Sequence, residues 1–257
     1  MLWELLQPLL FGYPPPPEMI GSRYPEFFYR VGGLSLTMII TLPSLVIGAL
    51  LGCLLAICRR KPSRNASFVS RSILCCVGFA ASGLVEIVRG LPIMPLALLV
   101  FYLPFPLTGM RFPGAILAVA AFSLYAGAYF SEITRSGFRA IPHGLRETGR
   151  TLGLTPIGIF LKIELPLIIR NMMPDIANLA VTVFRDTSVL AVVGIAELTY
   201  TGRQMMMSQP VNYGLVLLLT MALYWVPAAL ISSFLTTRSD GSSAFRKWSS
   251  RTVSRIL

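Results

Sequence analysis

Charged side chains interrupt the apolar stretches of this chain at Glu86, Arg89, Arg185 and Asp186. A charge at the centre of a lipid bilayer costs roughly 2.5–3.5 kcal/mol, so these side chains are not expected to face lipid. Two arrangements would accommodate them. They pair with one another, or they line a polar path in which an arginine binds a carboxylate and an acidic residue binds an ammonium group. Thr187 and Ser188 follow directly and belong to the same candidate path.

The composition predicts lipid as the solvent around these stretches. The chain has 257 residues, of which 54% are apolar and only 13% charged, and its mean hydropathy is +0.70. A soluble domain carries about 25% charged residues, and it could not cover its surface with so few. Charge-free runs such as residues 31–58 are long enough to cross the hydrocarbon core. We therefore predict an all-α polytopic membrane protein, which excludes soluble enzymes, secreted scaffolds and disordered chains.

The basic residues predict how the chain is oriented. It carries 22 Lys and Arg against 11 Asp and Glu, a net charge of +11. Most basic residues fall in three clusters, at 59–71, 135–170 and 238–255, and the segments between hold few. This pattern is typical of cytoplasmic loops. Because no aromatic residues interleave the clusters at nucleotide spacing, nucleic acid is not an expected partner.

Five passages follow, with the N-terminus outside and the C-terminus in the cytoplasm. The predicted spans cover about residues 31–58, 72–105, 113–131, 173–195 and 213–235. The second span is too long for one straight helix, but two crossings would put the basic clusters on opposite sides. We therefore predict one broken passage with an irregular centre, facing protein or a water-filled cavity. Residues 1–30 form an external segment with an interfacial helix over 1–11, and residues 236–257 form a cytoplasmic tail.

The loop over 135–170 is too apolar to be a solvated linker. Its prolines and glycines divide it into short helices, at Pro142, Gly144, Gly153, Pro156 and Pro166. A short amphipathic helix of this kind suits docking into a groove of another protein. The alternative is that its apolar residues pack only beneath the protein's own spans.

Within this loop, a spaced motif resembles the EAA loop of ABC importer membrane subunits. Glu147 is followed after five residues by Gly153, and after nine more by Ile163-x-Leu165-Pro166. The resemblance implies a type I ABC importer transmembrane domain over residues 31–235, with a coupling loop at 135–170.

Three flanking motifs resemble the polar amino acid and opine uptake subfamily. They are E-I-T-R-S-G-F-R-A-I-P from Glu132, V-E-I-V-R-G-L-P from Val85, and R-D-T-S from Arg185 with V-G-I-A-E-L after it. The subfamily has Ala-Ala where this chain has Thr148-Gly149, and Lys where it has Arg185. Gly149 is expected to loosen the docking helix, since glycine costs about 1 kcal/mol relative to alanine in a helix. Arg185 keeps the charge but presents a planar fork.

The resemblance also implies partners and roles. The loop would form a coupling helix in a cleft of a cytoplasmic ATPase dimer, beside a second permease subunit, the same chain or a homologue. An extracytoplasmic solute-binding protein would deliver the substrate to the bacterial inner membrane. Glu147 would be an interface or capping carboxylate, and Gly153 would allow close backbone approach at the bend. The implied coupling residues are Leu145, Glu147, Thr148, Gly149, Leu152, Gly153, Leu154, Ile163, Leu165 and Pro166.

The sequence gives less support to two other classes of function. An intramembrane enzyme needs a base beside its nucleophile, but the one histidine, His143, lies in the predicted cytoplasmic loop, and no metal-binding cluster is expected. A stand-alone channel or secondary transporter needs no apolar cytoplasmic helix, and half-length inverted repeats would favour it; the sequence has none. The chain also has no P-loop, so ATP and Mg²⁺ are expected on a partner subunit and no cofactor on this chain.

Overall fold

The computed structural model describes residues 2–12, 32–59, 68–208 and 212–237, and regular structure in these ranges is helical. The α-helices are α1 (Leu2–Phe11), α2 (Gly33–Cys58), α3 (Phe68–Gly90), α4 (Ile93–Tyr102), α5 (Pro104–Thr108), α6 (Gly114–Arg139), α7 (His143–Thr151), α8 (Pro156–Ile159), α9 (Leu165–Asp186), α10 (Leu198–Ser208) and α11 (Tyr213–Thr237). A π-helical turn (Phe160–Glu164) joins α8 to α9, and a 3-10 turn (Thr187–Val193) follows α9. The predicted cytoplasmic tail and most of the predicted external segment lie outside the described residues.

Five helical runs in the described part of the chain are long and apolar enough to cross a membrane. They are Gly33–Cys58, Ser72–Gly90, Gly114–Arg139, Pro156–Val193 and Tyr213–Leu235. The prediction of an all-helical protein with five passages is therefore confirmed.

Helices α2 and α6 pack against each other along their length through small residues. Gly48 lies against Ala126 and Gly127, and four residues later Gly52 lies against Gly127 and Phe130. Because the contacts advance along both helices together, α2 and α6 run parallel. Small residues let helix backbones approach closely in membranes, where packing and not water exclusion drives association. For two consecutive helices to run parallel across the membrane, the chain between them must cross back once in the opposite direction.

That crossing is a broken helix. Helix α3 ends at Gly90 and α4 begins at Ile93, because Pro92 lacks an N–H and disfavours helical geometry in Leu91. Gly78 of α3 lies against the end of α2, whereas Phe101 of α4 lies beside the start of α6. The passage thus connects opposite ends of the α2–α6 pair. We call the end where α2 and α6 terminate, at Cys58 and Arg139, the basic end.

Two membrane helices continue beyond their predicted limits at the basic end. Helix α6 runs to Arg139, past residue 131, and the fourth helical run begins at Pro156 instead of residue 173. The span limits are predicted from charge, but a helix that has formed adds one hydrogen bond for each further residue and need not end where charged residues begin. Only residues 140–155 remain between the two runs.

The main core lies between α2, α3, α4, α6 and α9. Its fully buried members are Ile40, Val85, Ala118, Phe122, Val183 and Leu190. Helix α1 packs at the opposite end from the basic end, where Leu9 is buried against Leu198 and Met205 of α10 and Val216 of α11. The predicted interfacial helix over 1–11 is therefore anchored to the bundle on one side.

Candidate functional site

Helix α7 ends in a hydrogen-bonded cap that requires glycine. The N–H of Gly153 donates to the carbonyl of Arg150 at 2.9 Å, and that of Leu154 donates to the carbonyl of Gly149 at 3.1 Å. This pair of bonds is a Schellman motif, and Gly153 has its left-handed φ of +75°. A Cβ at Gly153 would meet no described atom within 4 Å. Positive φ, and not close approach within this chain, explains the glycine.

Helix α7 is held against the start of the fourth helical run. Arg146 forms an ion pair with Glu164, and Gly149 packs directly on Ile159, where a Cβ would lie 2.8 Å from Ile159 Cγ1. Gly149 was expected to loosen this helix. That expectation stays a prediction, and in the structure Gly149 also allows α7 and α8 to touch.

The other side of this segment is exposed. Glu147 and Thr148 lie on the surface of α7, and beyond its end Leu152 is 71% exposed and Ile157 72% exposed. Leu145 and Leu154 are half-buried, and Leu145 packs against the cluster around Ile168. Two large apolar side chains thus project from the basic end. The other side of the segment that carries them is packed against the start of the fourth helical run.

The remaining predicted coupling residues belong to the membrane helix itself. Ile163 is half-buried in the π-helical turn, and Leu165 and Pro166 form the first turn of α9. Pro166 has no N–H to donate to the preceding π-helical turn, from which α9 continues directly.

An open surface pocket of about 440 Å³, which we call the Arg185 cavity, lies at the far end of α9. Arg185 and Ser188 line it from one side, and Met221, Tyr224 and Trp225 of α11 from the other. Asp186 is half-buried and Thr187 is buried, with its hydroxyl donating to the carbonyl of Phe184 at 2.7 Å. The cavity therefore combines one exposed guanidinium with two aromatic rings.

The charges singled out from the sequence do not pair with one another. Arg89 instead lies 3.6 Å from Glu132 on α6, and its guanidinium is 5.5 Å from the centre of the Tyr129 ring. Glu86 and Arg185 are exposed and have no ion-pair partner among the described residues.

Glu132 is the centre of a cluster of arginines at the basic end. Its carboxylate pairs with Arg135 on the same helix, with Arg59 after α2 at 3.3 Å, and with Arg89 of α3 at 3.6 Å. Arg59 also donates to Ser82 of α3 at 3.2 Å. One carboxylate thus joins three helices. The motif at Glu132 contains both this residue and Arg135, but Arg59 and Arg89 come from distant positions whose sequence carries no signal of the pairing.

We expect Glu132→Gln to destabilise the protein by about 2–3 kcal/mol, because hydrogen bonds between charged groups are lost and three arginines keep their repulsion. In detergent this should lower the Tm by roughly 5–10 °C. Glu86→Gln removes an exposed carboxylate without a described partner and is the matched control. Equal Tm values for the two variants would contradict the structural role of Glu132.

A second carboxylate, Glu197, is buried where α10 begins. It accepts hydrogen bonds from the N–H groups of Thr199 at 2.9 Å and Tyr200 at 2.8 Å, and from the hydroxyl of Tyr224 at 2.7 Å. Burial raises the pKa of Glu197, while these hydrogen bonds act in the opposite direction. Glu197 therefore caps α10 and fixes Tyr224, one of the rings that line the Arg185 cavity.

Known proteins match most of this chain. The family model of the binding-protein-dependent transport system inner membrane component matches residues 48–242. The glutamine transport system permease protein GlnP of Escherichia coli (strain K12) is 28% identical over 86% of this chain and 95% of its own length. The L-cystine transport system permease protein TcyB of Bacillus subtilis (strain 168) is 30% identical over 78% and 81%.

Solved structures agree. A crystal structure of an amino acid ABC transporter with histidines superposes with a TM-score of 0.67 at 25% identity, covering 81% of this chain and 91% of that one. The MetNI methionine ABC transporter in an inward-facing conformation shares the fold, with a TM-score of 0.62 at 19% identity over 80% and 92%. The resemblance to ABC importer permeases is thus confirmed. This chain belongs to the family of binding-protein-dependent transport system inner membrane components, and its location is the inner membrane.

Proposed function

We propose that this chain is the permease subunit of an ABC importer that moves a polar amino acid, or a related compound such as an opine, into the cell. A separate ATPase dimer drives it and a solute-binding protein feeds it. One observation carries the proposal: exposed Ile157 lies at the start of the helical run Pro156–Val193, with exposed Leu152 just before that run, and the cavity at Arg185 lies near its other end. A stand-alone channel or secondary transporter would leave that exposed face without a role.

In this proposal residues 145–157 dock on the ATPase. Leu152 and Ile157 enter an apolar cleft of the partner, and the exposed carboxylate of Glu147 meets a polar group at its rim. Closure of two ATPase subunits on ATP and Mg²⁺ then moves the docked segments of two permease subunits and rocks the spans between two states. ATP hydrolysis takes place on the partner, and the second permease subunit is a copy of this chain or a homologue.

The substrate path runs through the Arg185 cavity. The guanidinium of Arg185 is free to bind a carboxylate as a planar fork, and Ser188 adds a hydroxyl beside it. The rings of Trp225 and Tyr224 offer faces to an ammonium group, which neighbouring Asp186 would also attract. The relatives named for glutamine and cystine transport support an amino acid as the substrate class.

Substitutions at Arg185 test this path. We expect Arg185→Gln to raise the substrate concentration for half-maximal uptake about tenfold or more, because a charge-assisted hydrogen bond is lost. Arg185→Lys keeps the charge that the related subfamily has here, and should retain most of the uptake. Uptake of radiolabelled glutamine, cystine, basic amino acids and an opine into vesicles that hold the complete transporter would measure both.

Unchanged uptake by Arg185→Gln would show that the substrate path does not include Arg185. Lower protein abundance with unchanged affinity for the substrate would show that Arg185 has only a structural role. Co-purification of the tagged chain, followed by mass spectrometry of the bound proteins, tests the partners. Recovery of the chain without any ATPase would contradict the proposed function as a whole.

A further inference from the structure

A buried carboxylate is held by the short helix at the basic end. Arg146 Nε on α7 bonds to Glu164 Oε1, and Arg146 Nη2 lies 3.3 Å from Glu164 Oε2. The Glu164 side chain is only 5% exposed, whereas that of Arg146 is 55% exposed. The bond to Glu164 raises the pKa of Arg146 above its usual range. Because an unpaired buried charge is strongly unfavourable, the position of Glu164 depends on Arg146.

Glu164 occupies a special place in the helical run. It is the last residue of the π-helical turn that starts at Phe160, and the N–H of Leu165 closes that turn on the carbonyl of Phe160. A π-helical turn contains one residue more than an α-helical turn, is rare, and often marks a functional position. It is a point where the run from Pro156 to Val193 can change its register or bend.

Apolar contacts also orient the π-helical turn. The ring of Phe160 stacks on Phe138 of α6, with centroids 6.5 Å apart, and Ile159 packs on Gly149. Further along, Pro174 lies inside α9 and removes one backbone hydrogen bond, but there the helix is packed against α6 through Met172 and Gly137. The π-helical turn is thus the joint nearest to the exposed docking face, and the ion pair spans it from outside.

We propose that Arg146 and Glu164 are a positioning pair that makes α7, α8 and the π-helical turn move as one body with α9. A displacement of α7 by the ATPase then reaches the Arg185 cavity instead of being absorbed at the turn. The inference rests on the proposed function and assigns a role in it to two residues that touch neither ATP nor substrate. Without the pair, ATP hydrolysis continues while its effect on the cavity declines.

The chain provides a matched control one turn away. Arg150 is exposed on the same helix and, with Arg146 and Glu164, lines a small cavity of about 250 Å³ between α7 and α8. In the described part of the chain the Arg150 side chain has no hydrogen bond or ion pair. Arg150→Gln therefore removes the same charge from the same surface without removing the bond.

The experiment needs no knowledge of the substrate. In the complete transporter, with its native cysteines replaced and Met221→Cys as a reporter in the cavity, the rate of maleimide labelling is measured without nucleotide and with ATP, Mg²⁺ and vanadate. ATP hydrolysis is measured in the same samples. We expect Glu164→Gln and Arg146→Gln to reduce the nucleotide-dependent change at least about fivefold, within the usual range of coupling between sites. Hydrolysis should persist in both variants.

The conservative variant Arg146→Lys should keep most of the response, and Arg150→Gln should keep all of it. An unchanged response in both glutamine variants, or an equal loss in Arg150→Gln, would overturn the proposal. Loss of the ATPase subunit from every variant at Arg146, the lysine variant included, would also overturn it, because the pair would then only maintain the fold. If labelling in the parent does not respond to nucleotide, the proposed function itself fails.

Discussion

Replacing Gly52 by leucine is expected to disrupt the packing of α2 on α6 and to cause a large loss of stability. A Cβ at this position would lie 2.7 Å from the carbonyl oxygen of Gly127, 2.7 Å from Phe130 Cβ and 2.9 Å from the nitrogen of Ser131. These atoms belong to the backbone or lie directly on it, so they cannot rotate away. Overpacking typically costs 1–3 kcal/mol, and we expect at least about 3 kcal/mol here.

The matched control is Gly83→Leu on α3, where a Cβ would meet no described atom within 4 Å. Leucine there should be neutral or stabilising, since it favours a helix by almost 1 kcal/mol over glycine. Thermal unfolding in detergent should give a Tm for Gly52→Leu lower than that of the parent by roughly 6–12 °C. A shift of the same size in both variants would show that the α2–α6 contact is looser than described.

Replacing Gly153 by valine is expected to abolish ATP-driven transport while the membrane bundle stays folded. A β-branched residue at a φ of +75° is strained by about 1–3 kcal/mol, and the strain falls on the turn that sets the direction of Leu152 and Leu154. The docking face would be displaced as a result. We expect the amount of ATPase subunit recovered with the chain to fall at least about tenfold, since 1.4 kcal/mol corresponds to a factor of ten in binding.

Two further variants separate strain from bulk. Gly144→Val places the same side chain on the same helix, where φ is not positive and a Cβ would have no described neighbour within 4 Å, so it should bind the ATPase normally. Gly153→Asn should be intermediate, because asparagine tolerates the left-handed region better than valine. Normal transport by Gly153→Val, with normal co-purification of the ATPase, would contradict the proposed docking of this segment.

Much of the fold could be predicted from local sequence. Runs without charge predicted five passages because lipid cannot solvate either charges or unpaired backbone groups. The distribution of arginines predicted one crossing between the clusters at 59–71 and 135–170, and the parallel packing of α2 and α6 agrees with it. Pro92 marked the break in the second passage, since the chemistry of proline acts on its immediate neighbours.

The limits of the helices at the basic end were not predictable in the same way. Arg135 and Arg139 looked like loop residues because they are charged, yet both belong to α6. A charged residue indicates where the hydrocarbon core of the bilayer ends. The end of a helix depends instead on its caps and on the contacts of its last turns.

Sequence alone determined that this chain crosses a membrane and how often it does so, and it singled out the segment that we propose meets a partner at the basic end. These properties depend on composition and on neighbours along the chain. Only the tertiary structure decided that Arg89 pairs with Glu132, that Arg146 holds Glu164, and that Gly149 touches Ile159. Such pairs depend on the register and separation of helices that are distant in sequence, and a shift of one residue in the π-helical turn would change the face that Glu164 presents to Arg146.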